Sequence, residues 1–365
     1  MGRVRAVLRI FVVVVMCVCL SSFLFGCKGH AAEKEYISLI NANADAHTVS
    51  LFHLLQDNYG VKVFSGQYIN QYIDYFGGDY DSVLDVEELI AVHSVTGEYP
   101  AVLGIDCSQI EKDGYQTAVV EQAIEWYNMG GIVTMCWHWI DPKYRSSFYT
   151  ENTAFDFGAV MNGEDPVAYD QMLADIDKVS DVLKEISAAG VPILWRPLHE
   201  ASGGWFWWGS AGAENYISLY QLMYERMTVT NGLNNLIWVW NGQSSDWYPG
   251  DSYVDMIGED AYPSKIVYDY SPAMVEYYSR AKNSTTATKM IALSECNYLP
   301  NLDRMTTDNA NWLMFIPWCR EFVNDGQGNY LETYVSSEQL LSTYQNEKVI
   351  TLNDLSNING EIRLK

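Results

Sequence analysis

Two glutamates occupy positions from which their side chains could perform chemistry together. Glu200 ends the apolar run "VPILWRPLHE" (191–200), and Glu295 ends the run "KMIALSE" (289–295). A protonated carboxyl group can give its proton to a leaving oxygen while an ionised carboxylate attacks the carbon that carries this oxygen. Two such groups about 5–5.5 Å apart cleave glycosidic bonds with retention of configuration. The pair therefore predicts a retaining glycosidase site, provided that the fold brings the two runs together.

The segment after Glu200 could provide the surroundings that a proton donor needs. It continues "ASGGWFWWG" (201–209), with aromatic side chains at positions 205–208. Apolar walls and a nearby negative charge raise the pKa of a carboxyl group and keep it protonated near neutral pH. We expect some of these rings to line the site around Glu200. Trp207 and Trp208 could equally pack the loop.

Eight apolar runs are predicted to be strands that position these residues. They cover 61–66, 101–106, 131–138, 191–200, 236–241, 254–260, 289–295 and 315–318. Near-continuous apolar runs are typical of strands buried on both faces. Helical patterns separate most of them, at 85–96, 116–128, 167–189, 213–231, 271–282 and 337–348, and are weaker after the fifth and seventh runs. This alternation predicts an α/β protein with a single (β/α)8 TIM barrel, and a doubly wound open sheet is the alternative.

Polar residues collect at the carboxyl ends of these runs, where such barrels carry their chemistry. They are Asp106, His138, His199, Glu200, Asn241, Glu259, Asp260 and Glu295. Arg196 lies within the fourth run and would need a buried carboxylate partner, for which Asp106, Glu259 and Asp260 are candidates. Pro197 indicates that this strand is already ending, because proline removes a ladder hydrogen bond.

Composition and motifs argue against several other classes of protein. The formal net charge of −24 disfavours nucleic acid as a partner. "HEASG" is not a zinc-protease motif, because Gly203 stands where the second histidine would be, and six histidines without a clustered pair give little support for a metal. The chain has no G-x-S-x-G elbow, and no Gly-rich phosphate loop follows the first run. We expect neither a metal nor a cofactor.

The amino terminus has the pattern of an export signal. Arg3, Arg5 and Arg9 precede an apolar run over 10–25, which ends within the segment "LFGCKG" (24–29). This end resembles a bacterial lipoprotein signal, which would be removed as residues 1–26 and leave Cys27 as the lipidated first residue. The alternative is cleavage after Ala31 by the ordinary signal peptidase. We expect an exported monomer on the outer membrane, held there only by its lipid, with secretion as the alternative. A linker over 27–46 and a catalytic domain over 47–365 complete the predicted organisation.

Four cysteines follow Cys27. They lie at positions 107, 136, 296 and 319, and no two of them form a C-x-x-C pair. A domain of this size does not depend on disulfides even in an oxidising compartment. We interpret all four as buried free thiols.

The segment "PLHEASGGWFWWG" (197–209) resembles the signature of glycoside hydrolase family 26, a branch of clan A whose best-known members are β-mannanases. Shorter segments resemble family segments in the same order: "FSGQY" (64–68), "TGEYPAVLGID" (96–106), "WHW" (137–139), "GEDAYP" (258–263), "LSE" (293–295) and "PW" (317–318). The likeness covers most of the chain after the export signal. It implies the same barrel that the alternating runs predict.

This resemblance also implies roles for individual residues. Glu200 would be the acid/base and Glu295 the nucleophile. The resemblance places five further residues around the substrate. His199 and Tyr262 would orient the carboxylates, Trp205 would line the leaving-sugar side, Trp318 would form a platform under the reacting sugar, and His138 would contact the glycone; Asp260 is a further candidate for substrate binding.

The expected activity is that of a retaining endo-β-1,4-mannanase acting on mannan, galactomannan or manno-oligosaccharides. The same mechanism on β-1,3-xylan or mixed-linkage β-glucan, or exo-acting mannobiohydrolase activity, stays open because the signature does not separate them. An alternative of another class is a non-catalytic glycan-binding lipoprotein. The presence of both Glu200 and Glu295 counts against it.

Overall fold

The computed structural model describes residues 36–70, 82–108, 110, 114–265 and 273–365. The chain divides into a first unit, Met1–Ile37, and a compact second unit, Ser38–Lys365. The predicted export signal and Cys27 belong to the first unit and lie outside the described residues. No helix in the described part of the chain is long and apolar enough to span a membrane.

Eight parallel strands form the centre of the second unit. They are β1 (Val63–Tyr68), β2 (Val102–Asp106), β3 (Ile132–Trp137), β4 (Ile193–Pro197), β5 (Leu236–Trp240), β6 (Met256–Ala261), β7 (Met290–Cys296) and β8 (Met314–Pro317). Each strand pairs with the next in sequence, and β1 pairs with both β2 and β8. The sheet is therefore a closed barrel. The predicted (β/α)8 barrel is confirmed, and the open-sheet alternative is wrong.

The strands are apolar because both of their faces are covered. All but one of their residues are buried, the exception being Pro317. One face meets the barrel interior and the other meets the surrounding helices, so no strand shows an alternating pattern. Most strand boundaries differ from the prediction by one to three residues, and the largest differences at the carboxyl ends are in β1 and β4. β1 runs two residues further, because Gly66–Tyr68 pairs with β2, and β4 ends three residues earlier, at Pro197.

Nine α-helices lie in the described part of the chain. They are α1 (Ala46–Asn58), α2 (Glu87–Thr96), α3 (Tyr115–Asn128), α4 (Phe157–Met161), α5 (Pro166–Ala188), α6 (Ala213–Tyr224), α7 (Val275–Lys282), α8 (Leu302–Met305) and α9 (Ser337–Tyr344). Asp165 caps α5 by accepting from the Ala168 backbone N–H at 3.1 Å, and Pro166 fits its first turn. The connection after β5 has only 3-10 turns and that after β7 only the short α8, as their weak helical patterns indicated.

The segments at the two ends of the compact unit are attached to the barrel. The Ile40 N–H donates to Asp255 at 2.8 Å, so chain within the predicted linker already belongs to the compact unit. At the other end, β9 (Val349–Ile350) pairs with the start of β1, and the hairpin of β10 (Leu355–Ile358) and β11 (Glu361–Leu364) packs against α1. Neither attachment reaches the carboxyl ends of the barrel strands.

Candidate active site

The barrel opens at the carboxyl ends of its strands into a cleft of about 940 Å³. This volume suits an extended ligand rather than a single ion. The structure brings all eight predicted catalytic and substrate-binding residues to this cleft: His138, His199, Glu200, Trp205, Asp260, Tyr262, Glu295 and Trp318. They come from the ends of β3, β4, β6, β7 and β8 or from the loops that follow.

The end of β4 is bent so that Glu200 faces the cleft. After Pro197, both Leu198 and Glu200 adopt left-handed backbone conformations, with φ of 54° and 56°. The Glu200 N–H donates to the carbonyl of Asn241 at 2.7 Å, which fixes this bend against the end of β5. Non-glycine residues adopt such φ values at some cost, and they concentrate at functional sites.

Trp205 covers Glu200 from the side of the following turn. Its indole Nε1 donates to Glu200 Oε2 at 2.9 Å. Trp205 remains 45% exposed and lines the cleft. The ring lies directly over Gly203, where an added Cβ would come within 2.0 Å of a ring carbon. Gly203 is therefore needed for this close approach of ring and backbone.

Glu295 lies at an irregularity of β7. Glu259 pairs with Leu293 whereas Asp260 pairs with Glu295, so one extra residue of β7 is accommodated beside β6. Bulges of this kind redirect side chains and recur next to active sites. Tyr262 donates to Glu295 Oε2 at 2.7 Å, and Arg196 donates to Glu295 Oε1.

Arg196 joins three groups beneath the cleft. Its guanidinium donates to Asp260 at 2.8 Å, to the hydroxyl of Tyr68 at 3.1 Å and to Glu295. Asp260 was one of the three expected carboxylate partners; Asp106 and Glu259 form other pairs. Arg196 is fully buried, so its charge requires these partners.

Glu200, Asp260 and Glu295 place carboxylate oxygens within 4.8 Å of one another. A cation could be held at such a cluster, but Arg196 already donates to two of its three members. A second described cluster, Asp106, Cys136 and His138, is also poorly suited to a metal. Burial raises the pKa of Cys136 well above its usual range and keeps the thiol protonated.

The electrostatics separate the two catalytic candidates. Burial and the negative charge of Glu295 raise the pKa of Glu200, against the opposing effect of the Trp205 hydrogen bond. Asp260 also has a strongly raised pKa, because burial outweighs the stabilising charge of Arg196. Glu295 instead accepts hydrogen bonds on both oxygens, from Arg196 and Tyr262, which hold its carboxylate in place. Glu200 is thus suited to carry a proton, and Glu295 is held facing it in the same cleft.

Two histidines form a chain behind Glu200. Asp106 accepts from His138 Nδ1 at 3.0 Å, and His138 Nε2 lies 3.1 Å from Nε2 of His199. Burial opposes a charge on His138, but Asp106 outweighs it and raises the pKa of His138. Burial and the neighbouring His138 lower the pKa of His199 well below its usual range. His138 is therefore the proton donor in this pair and His199 the neutral acceptor.

The aromatic residues divide between cleft and core. Trp318 lines the cleft, with its ring centroid 4.6 Å from that of Tyr68. Trp207 and Trp208 are fully buried and donate to the carbonyls of Trp139 and His199, so their role is packing. Of the four consecutive aromatic residues, only Trp205 and Phe206 line the cleft.

Several cleft residues were missed from the sequence. Asn70, Gln243 and Arg320 stand two or three residues beyond β1, β5 and β8, where a search of strand ends could have found them. Others lie on loops or on the helices α3 and α7, and no local pattern marks them: Tyr115, Phe148, Tyr149, Tyr277, Arg280, Glu321 and Phe322.

A closed (β/α)8 barrel with a carboxylate pair at the mouth of its cleft is the architecture of many sugar-cleaving enzymes. Residues 40–338 match the model of glycosyl hydrolase family 26. The chain belongs to this family, which confirms the resemblance.

Relatives with known names agree with this assignment. The chain is 36% identical over 332 residues to a mannan endo-1,4-β-mannosidase of Thermothelomyces thermophilus. The matched region covers 87% of this chain and 63% of that protein. It is 31% identical to mannan endo-1,4-β-mannosidase B of a Piromyces species, over 88% of this chain and 54% of that protein. The chain thus spans only between half and two thirds of these two relatives.

Solved structures show the same fold. A β-(1,4)-mannanase of Podospora anserina (GH26-CBM35) aligns with a TM-score of 0.73 and 35% identity, covering 87% of this chain and 68% of that one. A β-mannanase from a symbiotic protist of the termite Reticulitermes speratus, complexed with gluco-manno-oligosaccharide, aligns with a TM-score of 0.75 and 31% identity, covering 87% and 96%.

Proposed function

We propose that this protein is a retaining endo-β-1,4-mannanase, with Glu200 as acid/base and Glu295 as nucleophile. The observation that carries the proposal is the pair itself. Their carboxylate oxygens lie within 4.8 Å of each other in one cleft, and the surroundings of Glu200 raise its pKa, as a proton donor requires. This spacing fits direct attack and leaves no room for the water molecule that an inverting pair must admit between its carboxylates.

In the first step, an oxygen of Glu295 attacks the anomeric carbon while the bond from this carbon to the leaving sugar's oxygen breaks. Glu200 gives its proton to this oxygen, so the leaving sugar departs as a neutral alcohol and Glu200 becomes a carboxylate. Tyr262 and Arg196 hold Glu295 in place through one oxygen each. The product of this step is a glycosyl ester on Glu295.

In the second step, water replaces the leaving sugar. Glu200 now removes a proton from this water, whose oxygen attacks the anomeric carbon as the ester bond to Glu295 breaks. Glu295 is released as a carboxylate, and Glu200 regains its proton. Trp205, hydrogen-bonded to Glu200 Oε2, stabilises the charged form that Glu200 adopts between the two steps.

The opposite side of the cleft is suited to hold the sugar that is attacked. Trp318 offers an aromatic face, and stacking on such faces is a general mode of sugar binding. His138, fixed by Asp106, and His199 line the cleft nearby, and their rings bond to each other. Asp260 contacts Arg196 and Asn241 rather than standing free, so its part in substrate binding is to support the carboxylate pair.

The substrate is assigned from the relatives. The two named proteins and the two solved structures above are all mannanases by their descriptions, and one structure contains gluco-manno-oligosaccharide. This favours β-1,4-mannan over β-1,3-xylan and mixed-linkage β-glucan. Internal cleavage is favoured over exo action by the same descriptions.

The test is sugar release from linear mannan, galactomannan, β-1,3-xylan and mixed-linkage β-glucan. We expect release from the mannans only, as mixed short oligosaccharides, with the newly formed reducing end first appearing as the β-anomer in NMR spectra. Glu295→Ala should abolish release, and Glu200→Ala should lower it about 10²–10⁴-fold, the usual value of a positioned general acid. Azide should partly restore turnover of an aryl β-mannobioside by Glu200→Ala and give the β-mannobiosyl azide.

Glu347→Ala is the matched control, because Glu347 is exposed and precedes β9 at the opposite end of the barrel. It should keep full activity. An α-anomer as first product would exclude the retaining mechanism. Binding of manno-oligosaccharides without any release would leave the glycan-binding alternative.

We also propose that Cys27 is lipidated and anchors a monomeric enzyme to the outer membrane. The proposal rests on the order of basic residues, apolar run and "LFGCKG" in residues 1–29. In a bacterial host fed a labelled fatty acid, the wild-type protein should carry label and sediment with membranes. Cys27→Ser should do neither, and label retained in this variant would contradict the anchor.

A further inference from the structure

Tyr277 and Arg280 belong to the cleft although neither lies at a strand end. Both come from α7 and line the same cavity as the carboxylate pair. The guanidinium carbon of Arg280 lies 5.1 Å from the centre of the Tyr277 ring, and 42% of the Arg280 side chain is exposed. The reaction outlined above does not use either residue.

A buried acid holds Arg280 in place. Nε and Nη2 of Arg280 both donate to Oε1 of Glu259, a fully buried residue of β6 that points away from its neighbour Asp260 towards α7. The remaining group, Nη1, has no hydrogen-bond partner among the described residues. Arg280 therefore presents fixed N–H donors to the cleft, and fixed donors lose little conformational freedom on binding.

The order of strands places Arg280 on the leaving-group side. Around the barrel, β4, β5 and β6 are neighbours, and Trp205, Gln243 and Tyr262 follow them in turn. Glu200 must protonate the leaving oxygen, so Trp205, which is bonded to Glu200, marks the side of the leaving sugar. α7 is the helix that follows β6 in the chain, and its residues Tyr277 and Arg280 line the same cleft. The opposite wall follows β8, β1, β2 and β3.

We propose that Tyr277 and Arg280 form a subsite for the leaving part of the chain, in which Arg280 donates to sugar hydroxyl groups and Tyr277 supports the ring. Glu259 is a positioning residue that acts through Arg280. The inference rests on the proposed function. It adds a binding site that the reaction at the carboxylate pair does not itself require.

Two substrates separate this role from a structural one. An aryl β-mannobioside has an aryl leaving group and makes no sugar contacts beyond the scissile bond, whereas mannohexaose does. For Arg280→Ala we expect kcat/KM on mannohexaose to fall about tenfold, equivalent to about 1.4 kcal/mol, and kcat/KM on the aryl substrate to stay within about twofold of wild type. Tyr277→Ala, which leaves the Arg280–Glu259 pair intact, should show the same selective loss.

Arg363→Ala is the matched control, because Arg363 donates through Nε and Nη2 to one oxygen of Glu361, as Arg280 does to Glu259, but lies in the carboxyl-terminal hairpin. Arg363→Ala should leave kcat/KM on both substrates unchanged. If Arg280→Ala alone does not fold, the double variant Arg280→Ala/Glu259→Gln replaces it. The second change removes the charge of Glu259, which would otherwise stay buried without its partner.

Each outcome bears on a different statement. Equal loss on both substrates, or no loss on either, in Tyr277→Ala and in the Arg280 variant that folds would overturn the subsite. A wild-type protein that cleaves neither substrate would instead overturn the proposed function, and the subsite with it. Selective loss on mannohexaose supports both.

Discussion

Three glutamates of this chain show how surroundings assign different tasks to one residue type. Burial and the nearby charge of Glu295 raise the pKa of Glu200, whereas Glu295 accepts hydrogen bonds from Arg196 and Tyr262. Glu259 has its pKa raised to about 7 by burial, which outweighs its ion pair with Arg280. Nothing in the residue type separates the three. The partners that reach each carboxyl group from strands, loops and α7 separate them.

The pH dependence of catalysis should follow Glu200. Only its protonated form can start the reaction, so kcat/KM on mannan should fall as the pH rises through the pKa of Glu200, which burial and Glu295 raise. Trp205→Phe removes the hydrogen bond that lowers this pKa and should move the alkaline limb to higher pH. Trp247→Phe, outside the cleft, should leave the limb unchanged. A downward shift in Trp205→Phe would refute this account of Glu200.

At the scale of elements, the site depends on how strands end. β4 terminates at Pro197, two residues with positive φ follow, and a short turn over Ala201–Gly203 returns the chain so that Trp205 covers Glu200. A regular continuation of β4 would have placed Glu200 by simple alternation with Arg196. The bend, together with the bulge beside Glu295, is what sets the distance between the carboxylates.

Gly203→Ala tests this turn. Its Cβ would lie within 2.0 Å of the Trp205 ring, so the ring must move and the bond to Glu200 should break. We expect kcat/KM on mannan to fall about tenfold, equivalent to about 1.4 kcal/mol, with little change in melting temperature because the ring is at the surface. Gly158→Ala, where the Cβ meets ordinary contacts of 3.4 Å and longer, is the control. Unchanged kinetics in Gly203→Ala would mean that Trp205 has no such role.

At the scale of the whole molecule, the catalytic end and the attachments of the barrel are separate. The cleft occupies the carboxyl ends of the strands, whereas the hairpin of β10 and β11 closes onto α1, which precedes β1. His47 and Tyr127 both contact the carbonyl of Gly360 in the hairpin turn. Stability and activity should therefore respond to different substitutions, as is general in this fold.

Gly360→Ala should destabilise the protein without affecting catalysis. Gly360 has φ of 82°, and a Cβ there would lie 2.0 Å from a ring carbon of His47. Left-handed strain and overpacking together should lower the free energy of unfolding by about 2–4 kcal/mol. Gly163→Ala, with φ of 80° in open space, should show only the strain, about 1–2 kcal/mol. Urea unfolding gives both values, and equal losses would show that His47 yields without cost.

The sequence by itself determined the architecture and named the residues that we propose as the reacting pair. Apolar runs of strand length followed by periodic helices allow few arrangements, and chemistry in such barrels lies at the strand ends. Glu200, Glu295, His138, His199 and Asp260 could be named for this reason, and the resemblance to the family added Trp205, Tyr262 and Trp318; all eight line the cleft.

Only the tertiary structure decided the distances, the partners and the contacts from distant segments. Whether Arg196 pairs with Asp106, Glu259 or Asp260 depends on strand register, which side-chain types do not encode. Trp207 and Trp208 are core residues and Trp205 a cleft residue, although they are neighbours in sequence, because one turn orients each ring separately. Arg280 and Tyr277 reach the cleft from a helix, since closing the barrel brings together side chains that no local pattern relates.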